Sequence, residues 1–309
     1  MKLAFLYAGQ GSQHSGMGKD FYAENPAFRS AFDSAQLDFD YKQLCFEGSE
    51  EQLADTRFTQ PCMVAFACGV TAALAAEHIQ PDAVAGLSLG EYSALQCAGV
   101  FTAKQAIELA AFRGAAMAEA VQNRPCGMAA ILGMERESLA ACCKGVSDKG
   151  ICEIANYNCP NQLVIAGDAA AVEAACEAAK AAGAKRCVPL NVSGPFHTSL
   201  MAPAGAALQQ RFKTESFDEM NVPVLFNCLG KPKSEQDTIS DLLVKQVQSS
   251  VYFEDSIRWL EQNGFDTIVE IGPGKALSGF VKKTAKSIRV LNVEDMDSFH
   301  STVSALKGE

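Results

Sequence analysis

What this chain lacks narrows its class before any motif is read. Its twelve cysteines contain no C-x-x-C pair and only four histidines are present, so a structural zinc site of the usual spacing is excluded. No uninterrupted apolar run reaches the roughly 18–20 residues a membrane helix needs. The opening "MKLAFLYAGQGSQ" carries one lysine and a short apolar run with no small-residue cleavage site behind it. It reads as a first strand, not a signal peptide. A cytoplasmic location is therefore expected, with the cysteines as free thiols serving as small core residues. Basic charge is in deficit, with a net charge of −10, which disfavours bulk nucleic-acid binding. Neither an internal repeat nor a low-complexity linker is visible, and no exposed apolar seam argues against a monomer.

Apolar residues make up 48% of the chain and charged residues 20%, a balance that favours a packed core. Short β-like runs alternate with helical patterns, which predicts an α/β fold with a largely parallel sheet. "LAFLYAG" and "AVAGLS" read as strands, "CMVAFACGVTAALAAEHI" as a long buried helix, and "LGEYSALQCAGV" and "AKQAIELAAFRGAAMAEAV" as two more helices. From Cys126 to about Leu190 the order becomes β-α-β-β-α-β, that of a ferredoxin-like unit, with Asp168 a candidate N-cap and Gly183 a helix end. Strand-like "VPVLFN", "DTIVEIG" and "SIRVLNV" follow. The expected layout is a large α/β domain over residues 1–123 and 193–309, with a ferredoxin-like insertion at 124–192.

One segment runs against the acidic balance. Ile271 to Val293 contains no Asp or Glu, yet holds Lys275, Lys282, Lys283, Lys286 and Arg289. It is either a solvated helix face or a landing area for an anionic partner.

The chemistry-bearing stretch is "AVAGLSLGEYSAL", Ala83 to Leu95. A strand, then G-x-S-x-G, then a helix is the nucleophile-elbow pattern. The serine must sit on a sharp turn where bulky neighbours would block close chain approach. The helix behind it points N–H groups at a developing oxyanion. A serine hydroxyl also needs a base. Of His14, His78, His197 and His300, His197 in "NVSGPFHTSLM" follows a strand, where catalytic groups of α/β folds collect. An α/β-hydrolase would show Ser, then Asp or Glu, then a late His, with an HGGG-like loop. Neither is found. Taken alone, Arg113 reads as a surface ion pair with Glu108 or Glu119.

Six motifs in one order change the weights: "AGQGSQ" at Ala8–Gln13, "GLSLGEYSAL" at Gly86–Leu95, "AFRGAAM" at Ala111–Met117, "NCPNQLVIAG" at Asn158–Gly167, "GPFHTSLM" at Gly194–Met201 and "VEIGPGKAL" at Val269–Leu277. Together they resemble the bacterial malonyl-CoA:acyl-carrier-protein transacylases of dissociated fatty-acid synthesis, over nearly the whole chain. The discrete acyltransferases of polyketide assembly lines are similar, and a serine thioesterase is a further alternative. The resemblance implies an α/β-hydrolase-like domain joined to a ferredoxin-like subdomain. It implies Ser88 as the acylated nucleophile, His197 as its base, and Gln246 as the residue whose backbone carbonyl orients the histidine, with Gln248 nearby. Gln10 and Leu89 become the oxyanion N–H donors. Arg113 becomes the grip on the malonyl carboxylate, and Phe196 the ring that crowds out an α-methyl group. Malonyl-CoA and acyl carrier protein are the implied partners, the latter for the lysine-rich segment. No cofactor or metal is expected, because the thioester already stores the energy. Two departures stand out: Leu87 occupies a position the family usually gives to histidine, and Ala8 one it often gives to proline.

Overall fold

Strands buried on both faces need continuous apolar runs, and parallel sheets supply that environment. In the computed structural model, which describes residues 1–122, 124–191 and 194–308, β1 (Leu3–Tyr7), β2 (Ala83–Gly86) and a later strand at Thr267–Ile271 are buried at every residue. The other strands are β3 (Cys126–Leu132), β4 (Cys152–Cys159), β5 (Gln162–Asp168), β6 (Arg186–Pro189), β7 (Val224–Phe226) and β8 (Lys231–Pro232). Thr267–Ile271 is β9, and Arg289–Val293 is β10.

By its packing the chain forms two compact units. The first comprises Met1–Gly114, Ser216–Leu225 and Arg258–Glu309; the second comprises Ala115–Glu215 and Phe226–Ile257. In the first, strands run in the order β10-β9-β1-β2-β7 with every pairing parallel. Against it lies the Thr56–Ala76 helix, which starts six residues before the apolar run that announced it. Asp55 caps that start by accepting from the Arg57 N–H, so Pro61 falls inside the helix. By length and composition this helix is apolar enough to cross a membrane, but 78% of its most apolar stretch is buried within the protein, as a core helix is.

In the second unit the strand order is β4-β5-β3-β6, all antiparallel. Counted within the unit this is second, third, first, fourth, the ferredoxin-like arrangement. The helices Arg136–Gly145 and Ala169–Ala181 pack on the sheet around Ile131, Leu139, Leu163 and Ile165. Asp168 precedes the second helix but does not cap it. Its carboxylate takes the Arg124 guanidinium at 2.8 and 3.0 Å and the Ile151 N–H at 2.9 Å instead.

The four strands lie within 124–192, but the compact unit around them is wider. Val251 pairs with β4, exchanging bonds with Ala155 and Tyr157 at 2.8 Å each, and the Ser250 hydroxyl donates to the Ile154 carbonyl. Tyr252 stacks on Tyr157 at 5.0 Å, and Arg136 pairs with Glu254 and Asp255. These bonds draw residues 226–257 onto the small sheet. The expected borders themselves, Asn123 and Val192–Ser193, lie outside the described residues.

Candidate active site

The first unit builds the serine turn from close backbone contacts. β2 ends at Gly86 and a helix runs from Gly90 to Cys97. A Cβ on Gly86 would stand 1.9 Å from the Gly90 carbonyl carbon, and one on Gly90 would stand 2.2 Å from the Tyr7 carbonyl oxygen. Both flanking glycines are therefore steric necessities of the turn. Leu87 serves through its backbone, its N–H donating to Tyr7 and its carbonyl accepting from Gly90. Ser88 is thrown into the left-handed region at φ 54°. That conformation costs a non-glycine residue on the order of 1–3 kcal/mol and persists only where the surroundings impose it.

Arg113, on the Ala103–Glu119 helix, is 1% exposed, so it is not the surface ion pair its own sequence context suggests. Glu108 pairs with Lys104 instead. One guanidinium nitrogen, Nη2, donates to Ser88 Oγ at 3.2 Å, and the other, Nη1, to Gln60 Oε1 at 2.9 Å. The Tyr92 ring lies under the guanidinium at 5.6 Å. Burial pushes the Arg113 pKa down, and the neighbouring Tyr92 and Glu91 work against that shift. Gln10 is tied by its side-chain amide to Thr56 Oγ1 at 3.0 Å. Among the described residues, neither the Gln10 nor the Leu89 backbone N–H donates to a protein acceptor. Gln60, Thr56 and Tyr92 escaped the sequence reading. Gln60 offered a weak signal, as an uncharged polar residue entering an apolar helix.

The second unit holds His197, also left-handed, at φ 62°. Only four described non-glycine residues have positive φ, and two of them are Ser88 and His197. His197 Nδ1 lies 2.9 Å from the backbone oxygen of Gln246, which is fully buried near the end of the Ile239–Val247 helix. Last-turn carbonyls have no intrahelical partner, so the imidazole satisfies one of them. A carbonyl only accepts. In the neutral ring Nδ1 therefore carries the proton and Nε2 keeps its lone pair. Gln248 plays a different part, donating to the Val244 carbonyl at 3.0 Å. Phe196 is buried, and its ring sits where a Cβ on Gly194 would meet it at 2.9 Å.

Two of the other histidines have partners of their own. His14 Nδ1 meets the Ser15 carbonyl at 3.0 Å, and His300 lies edge-on to Phe299. In the lysine-rich segment Lys282, Lys283, Lys286 and Arg289 are exposed. Lys275 is bound to Glu294 at 3.1 Å, just past the acid-free run, so it counts less toward a basic surface than its sequence neighbours do. Among the described residues no group of three or more His, Cys, Asp or Glu is arranged to hold a metal.

A parallel α/β sheet carrying a glycine-flanked serine beside a buried guanidinium defines a class, the α/β acyltransferases. The chain belongs to one family of that class: the family model described as acyl transferase domain matches residues 4–304. The chain is 42% identical over 311 residues to the malonyl CoA-acyl carrier protein transacylase of Bacillus subtilis (strain 168), covering 100% of this chain and 98% of that protein. Among solved structures it is similar to the malonyl CoA-acyl carrier protein transacylase of Clostridium perfringens ATCC 13124, with a TM-score of 0.96, 41% identity, and 100% and 98% of the two chains covered. It is also similar to PlMCAT:AntF (holo), a type II PKS acyl-carrier protein in complex with its malonyl-transacylase, with a TM-score of 0.94, 36% identity and 100% of both chains covered.

Proposed function

We propose that this enzyme transfers malonyl from malonyl-CoA to the phosphopantetheine thiol of an acyl carrier protein through a malonyl-Ser88 intermediate. The observation that carries the reading is the Arg113 guanidinium, buried and 3.2 Å from the serine hydroxyl. A buried fork of positive charge at a nucleophile favours an acyl group that ends in a carboxylate. Acetyl has no such end, whereas malonyl does.

In the first half-reaction Ser88 Oγ attacks the thioester carbonyl and His197 Nε2 takes its proton. The Gln246 carbonyl keeps the ring in the tautomer this needs. The Gln10 and Leu89 N–H groups hold the oxyanion, and losing one such donor typically costs about 10²–10³ in rate. Coenzyme A leaves with the proton from His197. In the second half the carrier thiol gives its proton to His197 and attacks the malonyl ester, and Ser88 leaves by taking that proton back from His197. The thioester supplies the driving force, so the cycle calls for no metal or cofactor. Phe196 is the candidate filter against an α-methyl group.

Lys282, Lys283, Lys286 and Arg289 are proposed to meet the acidic carrier, with Lys275 reduced to a minor part by Glu294. We further propose that the enzyme acts as a cytoplasmic monomer. Fatty-acid synthesis is the pathway we propose. The type II PKS complex supports a polyketide carrier as the second reading.

Steady-state kinetics test the proposal. Parallel double-reciprocal lines for malonyl-CoA and carrier are expected, with little malonate released without an acceptor. Thioester loss matched by free malonate would make the protein a thioesterase instead.

A further inference from the structure

The small core of the second unit is rich in thiols. Cys143 is buried in it, and Cys142, Cys152, Cys176 and Cys187 pack against it. Cys143, on the Arg136–Gly145 helix, and Cys152, the first residue of β4, bring their sulfurs to 3.8 Å. Both line two surface cavities of about 580 and 460 Å³, open to a small oxidant. The contact is polarised. The Cys152 thiol holds Cys143 below the ordinary thiol range, and the same contact with burial pushes Cys152 up.

The residue after Cys152 reaches the loop of the base. The Glu153 carboxylate accepts the Ser199 N–H at 2.8 Å and the Ser199 hydroxyl at 2.6 Å. Ser199 opens a one-turn helix, Ser199–Met201, two residues after His197. A left-handed histidine is held by its surroundings, not by its own preference. A disulfide requires the two sulfurs to close to about 2.05 Å, a movement β4 and the helix must absorb.

We propose that Cys143 and Cys152 form an oxidative modification site, in which hydrogen peroxide closes the pair into a disulfide that shifts Glu153 and loosens the Ser199–Met201 turn behind His197. The Cys143 thiolate attacks peroxide, taking one oxygen as sulfenic acid, and the other oxygen leaves as water. The Cys152 thiol then attacks the sulfenic sulfur and expels the second water. Two thiols lose two electrons and one peroxide gains them. The effect on turnover rests on His197 as the base, whereas disulfide formation does not.

The test treats the whole enzyme with hydrogen peroxide and follows it by peptide mapping, kinetics and hydrogen exchange. A Cys143–Cys152 cross-link is expected, absent in Cys143→Ser and in Cys152→Ser and kept in Cys142→Ser. Faster exchange of the Ser199 amide should accompany it, whatever the enzyme's substrate. For malonyl transfer kcat falls by about tenfold or more with KM for malonyl-CoA unchanged, and dithiothreitol restores it. Oxidation that maps to Cys142, Cys176 or Cys187 overturns the proposal. So does a Cys143–Cys152 disulfide that leaves both the Ser199 amide and kcat unaltered.

Discussion

Replacing Arg113 by methionine removes the guanidinium while keeping much of the side-chain stem against Tyr92. In the structure Nη2 faces Ser88 Oγ, and Nη1 is shared with Gln60. A malonyl carboxylate taking both nitrogens gains two charge-assisted hydrogen bonds, each about 1.5–3 kcal/mol. Their loss, about 3–6 kcal/mol, lowers kcat/KM for malonyl-CoA by about 10²–10⁴. Acetyl-CoA makes neither bond, so its kcat/KM should stay level or rise. Stability should hardly change. Burial works against this charge, which offsets part of what the lost bond to Gln60 costs. The assay is acyl transfer to carrier protein from both thioesters, with a thermal melt of each variant. An unaltered malonyl-to-acetyl ratio in a variant that melts like the parent refutes the clamp.

Other consequences follow from the same geometry. Gln60→Leu leaves the guanidinium unheld on one side, so malonyl kcat/KM should fall by about tenfold while acetyl transfer is spared. Gly86→Ala drives a methyl to 1.9 Å from the Gly90 carbonyl carbon, so the variant should lose Ser88 acylation and be destabilised by about 1–3 kcal/mol or more in denaturant titration. Reversing Lys282, Lys283 and Lys286 to glutamate should raise KM for the carrier and flatten its salt dependence, leaving KM for malonyl-CoA alone. Asp168 is held below the ordinary carboxylate range, chiefly by Arg124. A depressed folded pKa gives stability that is present above the unfolded value of about 3.9 and is lost as pH falls through the folded one. The melting-temperature gap between the parent and Asp168→Asn should therefore shrink from about pH 5 to about pH 3.

Much of the architecture is written in local patterns. The apolar runs at 3–7, 83–86 and 267–271 are strands because a parallel sheet buries both their faces. The elbow was legible because its two glycines answer a local steric demand. Long-range polar contacts were not legible. Gln60 meets Arg113 across 53 residues of chain, and nothing in either local pattern names the other. Lys275 looked free because its partner, Glu294, lies one residue beyond the acid-free run. Asp168 stands where a cap belongs, but its carboxylate is turned to a guanidinium 44 residues away and to the Ile151 N–H. The breadth of the second unit depends on Val251 pairing with β4, a bridge made only once the chain has returned.

Intact mass spectrometry after mixing the enzyme with malonyl-CoA, followed by peptide mapping, tests the central claim most directly. One malonyl group on Ser88 is expected, lost in Ser88→Ala and discharged by carrier protein. Addition at another residue, or a Ser88→Ala variant that still takes up malonyl, would contradict it.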